Sequence, residues 1–376
     1  MVGPRGLAAS SCFWAAVLSP AAALSPAALS PAAALSAAAA PWPAAPAAGA
    51  PPLRVVVVGD CHGMWDGDDA AALAILAPDV ALFAGDFGDE DLAAVEAIAE
   101  CTTPKATIFG NHDMWHTARA WRGHHASSWY AARGALKVAR DGAQRPSFSS
   151  ESLEALHATV DDCDVGFRAR AFPKCTVVGA RPFSKGGNGM YKTKFYKHHW
   201  RVRNLDESAA RITANGLAAA RNAPLLLLAH CGPAGLGSAA DAPCGKDWGA
   251  LRFDWGDADL STALTNLAAG GNPAALCVFG HLHSPTHAGE TRTMVAKHAS
   301  GTLCVNAAHH PRWRPSAVGG PVLRSFTLVD IDAATFSPTA VRHGWFAPDG
   351  TAAEMTELYS APAHGPTRAD AAAGAE

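Results

Sequence analysis

The chain has 376 residues, of which 49% are hydrophobic, and its formal net charge is −3. This length allows one large domain or two small ones with a sizeable buried core, and the near-neutral charge gives no global field that would attract nucleic acid or a membrane surface. The nine cysteines are odd in number and include no Cys-X-X-Cys pair. They argue against a disulfide framework and predict free thiols in a reducing compartment.

Residues 1–52 are predicted to be a disordered targeting leader. They are rich in Ala, Ser and Pro, carry one charge at Arg5 and contain no acidic residue. Such a composition is typical of an organelle transit peptide, and the predicted free thiols favour a plastid. The alternatives are a secretory signal, the first half of a two-part plastid leader, a cytoplasmic location and a Pro/Ala extension without an address. The most apolar window, residues 7–18, is shorter than the about 20 residues that span a bilayer, so no membrane span is predicted.

Strands and helices alternate from residue 53 onward. The β-branched run 53–58 predicts a strand that is covered on both faces, and residues 66–77 predict a helix with an acidic first turn. A second strand over 80–84, a helix over 90–100 and a third strand over 106–109 follow. This alternation favours an α/β architecture.

The second half of the chain shows further runs of the same kinds. Strands are predicted over 176–180, 225–229, 274–279, 302–305 and 323–331, and helices from Leu153, over 206–222 with Asp206 as N-cap, and over 257–269. We predict one domain over residues 53–350, with a basic insertion over about 114–222, and a disordered tail over 351–376.

A set of polar side chains directly follows the predicted strands. The set consists of Asp60, His62, Asp86, Asn111, His112, His230, His281 and His283. In an open α/β sheet, ligands bind outside the carboxyl ends of the strands. Carboxylate, amide and imidazole donors without thiolate suit Mn, Fe or Zn. Their number is about right for two metal ions that share one carboxylate.

Five motifs carry these residues in order along the chain. They are Asp60-Cys61-His62, Gly85-Asp86-Phe87-Gly88-Asp89, Gly110-Asn111-His112-Asp113, the lone His230, and Gly280-His281-Leu282-His283. This order resembles the calcineurin-like metallophosphoesterase superfamily over roughly residues 53–310. The resemblance implies a four-layer α/β/β/α sandwich and a dinuclear, metal-dependent hydrolase of phosphate esters.

The resemblance also implies a role for each motif residue. One divalent metal ion would be bound by Asp60, His62 and His283, the other by Asn111, His230 and His281, and Asp86 would bridge the two. A metal-bridging hydroxide would attack the phosphorus. His112 would hydrogen-bond the phosphate and stabilise or protonate the leaving oxygen, and Asp113 would orient His112.

Some residues differ from the motifs of particular subfamilies, and for others two roles are possible. Glu90 stands where the protein serine/threonine phosphatases carry arginine, which counts against a phosphatase of that type. Segments 181–187, 230–237 and 244–248 are similar to an uncharacterised branch found in cyanobacteria and plastids. Asp89 is interpreted equally as a motif residue and as a helix N-cap, and a surface role is predicted for His309 and His310.

Ten Lys and Arg residues but no Asp or Glu lie between Val165 and Leu205. Beside a two-metal site they would attract an anionic substrate, and Arg181 and Lys185 are predicted to contact its phosphate directly. The alternative is a solvated loop balanced by acidic residues elsewhere in space. The expected partner is a small anionic phosphoester. A nuclease that uses the basic segment and a catalytically silent metal-binding scaffold are the rival functions.

Overall fold

Two mixed β-sheets form the centre of the protein, and the computed structural model describes residues 51–120, 150–316 and 320–362. The predicted leader therefore lies almost entirely outside the described residues, and its plastid address stays a prediction. None of the helices in the described ranges has the length and apolar character to span a membrane. The eight cysteines in these ranges are buried and free, as predicted.

The first sheet is built around the β-branched strand near the start of the described chain. Its parallel half contains β1 (Leu53–Val58), β2 (Val80–Phe83) and β3 (Lys105–Thr107). On the other side of β1, the chain adds antiparallel strands, namely β11 (Val322–Ile331), β12 (Pro338–Phe346) and β13 (Ala352–Ser360), while β10 (Trp313–Pro315) pairs with β11.

The second sheet has a parallel centre and antiparallel edges. In spatial order it contains β4 (Ala169–Ala171), β5 (Thr176–Gly179), β6 (Leu225–Leu228), β7 (Ala274–Phe279), β9 (Leu303–Asn306) and β8 (Val295–Lys297). The four strands β5, β6, β7 and β9 run parallel, so their carboxyl ends meet at one edge of the sheet.

Helices cover the two sheets. They are α1 (Gly67–Leu76), α2 (Leu92–Ala99), α3 (Trp115–Ala120), α4 (Ser150–Val160), α5 (Thr193–Trp200), α6 (Leu205–Ala218) and α7 (Ala258–Ala269). Because successive side chains of a strand point to opposite faces, β1 contributes to two cores. Val55 and Val57 pack with residues of the second sheet, whereas Val56 and Val58 pack with residues of α1 and α2. The predicted four-layer α/β/β/α sandwich is thus confirmed.

Three predictions about the chain's organisation need correction. Much of the predicted insertion 114–222 belongs to the second sheet layer, because β5 pairs with β6 and α6 packs against α7; residues 121–149 lie outside the described residues. The predicted disordered tail contains β13, which pairs along β12, although its own side chains are mostly exposed. The N-cap of α6 is Asn204 rather than Asp206, since its side chain accepts the N–H of Glu207.

Candidate metal centre

The loops that follow the parallel strands of the two sheets meet at one place. The backbone N–H of His281, after β7, donates to both carboxylate oxygens of Asp60, after β1, at 3.0 and 2.9 Å. The Nδ1 of His230, after β6, lies 2.7 Å from the carbonyl oxygen of Ala84, after β2. These contacts join the two sheets and gather side chains from motifs that are far apart in sequence.

Glycine is required where the carboxylates approach the backbone. A Cβ at Gly110 would lie 2.2 Å from Oδ1 of Asp86, and one at Gly280 would lie 2.1 Å from Oδ1 of Asp60. Real Cβ atoms do not tolerate such distances, so any side chain at either glycine would displace a carboxylate. Gly110, which precedes Asn111, and Gly280, which precedes His281, are therefore part of the site's geometry.

Four of the candidate ligands have a left-handed backbone. The φ angles are 39° at Asp60, 45° at His62, 52° at Asp86 and 72° at His281. A residue with a Cβ is strained in this region, and such strain persists only where surrounding contacts hold it. Because this backbone strain occurs at four ligand candidates, we infer that the loop conformations serve to position these side chains rather than to stabilise the backbone.

A first group of donor atoms forms around Asp60, His62 and His283. Nε2 of His283 lies 2.8 Å from Oδ2 of Asp60 and 3.2 Å from Nε2 of His62. Nε2 of His62 in turn lies 3.9 Å from Oδ2 of Asp86. The structure thus brings together all three residues predicted for one metal ion, beside the carboxylate predicted to bridge.

A second group forms on the other oxygen of Asp86. Its Oδ1 lies 3.3 Å from Nε2 of His230, and Oδ1 of Asn111 lies 3.1 Å from the same nitrogen. Donor atoms of Asp86, His230 and His281 all lie within 4.8 Å of one another. Asp86 therefore contacts both groups, one through each of its oxygens.

The surroundings of His230 fit a bound cation. Its Nδ1–H donates to the carbonyl of Ala84, which leaves a lone pair on Nε2 of the neutral ring. Facing that nitrogen are the oxygens of Asn111 and Asp86. A lone pair facing two acceptor oxygens is repulsive unless a proton or a metal ion lies between them. Together with a donor set of imidazole, carboxylate and amide, this arrangement fits divalent metal ions.

The ionisable side chains of the site shift one another's pKa values. Burial alone would raise the pKa of Asp60, but its hydrogen bond to His283 lowers that pKa to about 2. Burial also opposes protonation of His230, but the adjacent Asp86 raises the pKa of His230 to about 10. For His281, burial and the charge of His230 lower the pKa to about 3. The neighbouring histidines thus hold the carboxyls of Asp60 and Asp86 ionised, as carboxylate ligands of a metal ion must be.

His112 is oriented by Asp89 and not by Asp113, which corrects the prediction for Asp113. Nδ1 of His112 lies 2.5 Å from Oδ1 of Asp89, and the ring stacks on Trp115 with centroids 4.6 Å apart. The backbone N–H of His112 donates to Asp86 at 2.8 Å. The N-cap interpretation of Asp89 is also wrong, because Asp91 caps α2.

Asp113 instead joins two loops of the site. Its buried carboxylate accepts backbone N–H groups from Gly110 at 2.7 Å, Phe87 at 2.9 Å, Asp86 at 3.0 Å and Gly88 at 3.4 Å. One side chain therefore accepts hydrogen bonds from backbone N–H groups in both turns, the one after β2 and the one after β3. Its role is to hold the backbone that carries Asp86 and Asn111.

Replacing Asp113 by Ala is expected to destabilise the metal-free protein by at least about 3 kcal/mol, because several buried N–H groups would lose their acceptor. Urea unfolding followed by tryptophan fluorescence measures the change. Asp91→Ala, which removes the exposed N-cap carboxylate of α2, is the control and should cost about 1 kcal/mol. A loss for Asp113→Ala no larger than that of the control would contradict the structural role.

The two predicted phosphate contacts have different outcomes. Arg181 is 2% exposed, and its guanidinium pairs with Asp257 at 2.5 Å and with Asp259 at 2.8 Å. The prediction that it contacts phosphate is therefore wrong, because both carboxylates already occupy its donors within the interior. Lys185 is half-buried, with Nζ 4.1 Å from the centroid of the Tyr191 ring, and its contact with phosphate stays a prediction.

Two further residues of the site were missed or misassigned by sequence reasoning. His310 follows β9 and its ring lies 5.0 Å from that of His62 and 4.7 Å from that of His283, so its predicted surface role is wrong. The available signal was its position after a strand that ends at the same sheet edge as His230.

Glu90 is buried and accepts the N–H groups of His116 and Thr117 at 2.8 Å, which holds the start of α3.

A comparison with protein-family models assigns the chain to a family. A family model described as calcineurin-like phosphoesterase matches residues 53–285. Among solved structures, the chain is similar to TT1561 of Thermus thermophilus, with 10% identity, a TM-score of 0.40, and coverage of 82% of this chain and 100% of that one. It is also similar to a metallophosphoesterase from Sphaerobacter thermophilus, with 14% identity, a TM-score of 0.28, and coverage of 82% and 89%. A search of curated proteins found no match.

Proposed function

This chain belongs to the calcineurin-like phosphoesterase family and is a metal-dependent hydrolase of phosphoric esters, and we propose that it acts on a small anionic substrate with two divalent ions that share Asp86. The observation that carries this proposal is the position of Asp86. Its Oδ2 lies beside His62 and its Oδ1 beside His230, so that one carboxylate borders both groups of donor atoms.

Each metal position would be formed by residues from both sheets. One would be held by Asp60, His62, His283 and Asp86, and the other by Asn111, His230, His281 and Asp86. Bound there, Mn, Fe or Zn ions would ionise a water near neutral pH and would neutralise charge on the phosphoryl oxygens. The chain's own contribution is to hold the ligands at fixed positions before substrate arrives, which the contacts from Ala84 and Asp113 support.

His112 is the proposed proton donor for the leaving oxygen. Asp89 occupies its Nδ1, which leaves Nε2 as the atom that can reach substrate. Burial lowers the tendency of the ring to protonate, but the hydrogen bond to Asp89 raises the pKa of His112 above its usual value. A larger protonated fraction at neutral pH suits a general acid.

The basic segment supports a small substrate over a polynucleotide. Arg168, Lys174, Arg181 and Arg203 pair with acidic residues, as in the alternative of a balanced loop. Lys185 is the retained candidate for a phosphate contact. A Cβ on the neighbouring Gly186 would lie 2.7 Å from Sγ of Cys231, which follows the ligand candidate His230 in the chain. The Lys185 loop therefore packs against the residue that directly follows His230.

The proposal is tested on the purified full chain by metal analysis and by assays with p-nitrophenyl phosphate and bis-p-nitrophenyl phosphate in the presence of Mn²⁺. We expect two ions per chain, hydrolysis that is lost on chelation and restored by Mn²⁺, and a preference that assigns monoesterase or diesterase action. Two bound ions without hydrolysis of either ester would favour the silent scaffold. No bound metal after reconstitution would overturn the proposal.

A further inference from the structure

We propose that His310, which lies outside the five motifs, is an additional ligand of the metal position formed by Asp60, His62 and His283, and that it makes this position prefer Zn²⁺, Co²⁺ or Fe²⁺ over Mg²⁺. The inference rests on the proposed two-metal function and deepens it. It assigns a ligand and a metal preference to one of the two positions.

Three imidazoles converge at this position. One ring nitrogen from each of His62, His283 and His310 lies within 4.8 Å of the other two. The rings of His283 and His310 are stacked, with centroids 4.7 Å apart and planes at 28°, whereas the ring of His62 meets His310 edge-on at 5.0 Å. Three ring nitrogens at these mutual distances could hold one metal ion.

His310 also has an unsatisfied polar atom. Among the described residues, nothing forms a hydrogen bond with its Nδ1, although that atom is buried. Buried polar atoms in native structures have partners in the large majority of cases, and an exception requires an explanation. A cation bound at this Nδ1 would supply the partner that the atom lacks among the described residues.

The backbone holds His310 against both neighbouring ligand loops. Its N–H donates to the carbonyl of Ser284, which directly follows His283, at 3.1 Å. Two residues further along, the buried side chain of Arg312 donates to the carbonyl of Met64, two residues after His62, at 2.8 Å. The loop after β9 is therefore tied to the loops after β7 and β1. Contacts of this kind, made by residues outside the ligand set, hold ligand side chains in the orientation that metal binding requires.

The two metal positions then differ in donor chemistry. With His310, the first position has three imidazoles in addition to Asp60 and Asp86. The second has the imidazoles of His230 and His281 with the amide of Asn111 and the shared carboxylate. Imidazole suits Zn, Fe and Ni, whereas oxygen donors suit Mg and Mn. The first position is therefore the one that should discriminate against Mg²⁺.

The test is a calorimetric titration of the chelator-treated full chain with Co²⁺, and separately with Mg²⁺, for the wild type, His310→Ala and His287→Ala. The wild type should show two Co²⁺ binding events. His310→Ala should weaken one event by at least about tenfold, change the visible absorption of the bound Co²⁺, and reduce the preference for Co²⁺ over Mg²⁺. His287→Ala removes a 74% exposed imidazole from the loop after β7 and should match the wild type.

The outcomes separate the ligand assignment from the proposed function. If the wild type binds two Co²⁺ ions and His310→Ala binds them with unchanged affinity and spectrum, the assignment is overturned while the two-metal function stands. If the wild type binds no ion, both are overturned. Should His310→Ala fail to fold, as judged by circular dichroism, His310→Gln fills the site with a weak amide ligand and should lose affinity in the same single event.

Discussion

Replacing Asp86 by Asn is expected to lower kcat by at least roughly a thousandfold, since the two-metal chemistry supplies several kcal/mol and each 1.36 kcal/mol is about tenfold in rate. The carboxylate borders both donor groups, with His230 at 3.3 Å on one oxygen and His62 at 3.9 Å on the other. A neutral amide offers only one oxygen and no charge to two cations. Metal analysis alongside the assay should show that fewer than two ions remain bound.

The matched control for this substitution is Asp91→Asn. Asp91 lies five residues further along the same loop, is exposed, and caps α2 through the N–H of Ala93. The same chemical change at this position should leave kcat and metal content near those of the wild type. An Asp86→Asn variant that keeps two ions and normal turnover would show that Asp86 does not bridge.

Replacing His112 by Ala should lower kcat by about a hundredfold to ten-thousandfold, the usual contribution of a general acid, while both metal ions stay bound. The loss should be larger for an alkyl phosphate than for p-nitrophenyl phosphate, because p-nitrophenolate leaves without protonation. Parallel assays with the two esters measure this difference. Loss of an ion in His112→Ala would instead make His112 a ligand, since it lies in a donor group with His62 and Asp86.

A double-mutant cycle separates the role of Asp89 from that of His112. The carboxylate of Asp89 contacts Nδ1 of His112. The side chain of Asp89 is 60% exposed, so substitution of Asp89 should not disturb the core. Asp89→Asn alone should slow hydrolysis of the alkyl ester, and it should have no further effect in the His112→Ala background, because residues that act as a unit are not additive. Additive losses would mean that Asp89 acts on substrate or metal independently of His112.

The ligand candidates could be identified from sequence because each motif is a local pattern. A β-branched or leucine-rich run predicts a buried strand, and a polar residue just after it must lie at the strand's carboxyl end. Asp60, Asp86 and His230 are found by this reasoning alone, without knowing which strands are neighbours. Family resemblance then supplied which of them share a metal ion, and the structure brings those residues together.

Contacts between distant segments could not be predicted in this way. The pairing of Arg181 with Asp257 and Asp259 spans more than seventy residues, and a basic residue after a strand has the same local pattern whether it meets a phosphate or a buried carboxylate. The same holds for His310, whose ring lies 5.0 Å from that of His62 although the two residues are far apart in sequence. A local sequence pattern shows that a polar side chain follows a strand, but it does not show which residue or ligand that side chain contacts.

The strand β13 shows the same limit in the fold itself. Its side chains are mostly exposed, so it lacks the apolar periodicity by which strands are recognised, and its existence depends on backbone pairing with β12. The sequence by itself thus determined the buried strands and the polar residues at their ends, and with the family resemblance the class of chemistry, because burial and turn formation leave a short-range pattern. Only the tertiary structure decided that Asp89 rather than Asp113 orients His112, that Arg181 is buried and that His310 joins the site, because these depend on chain segments that folding alone brings into contact.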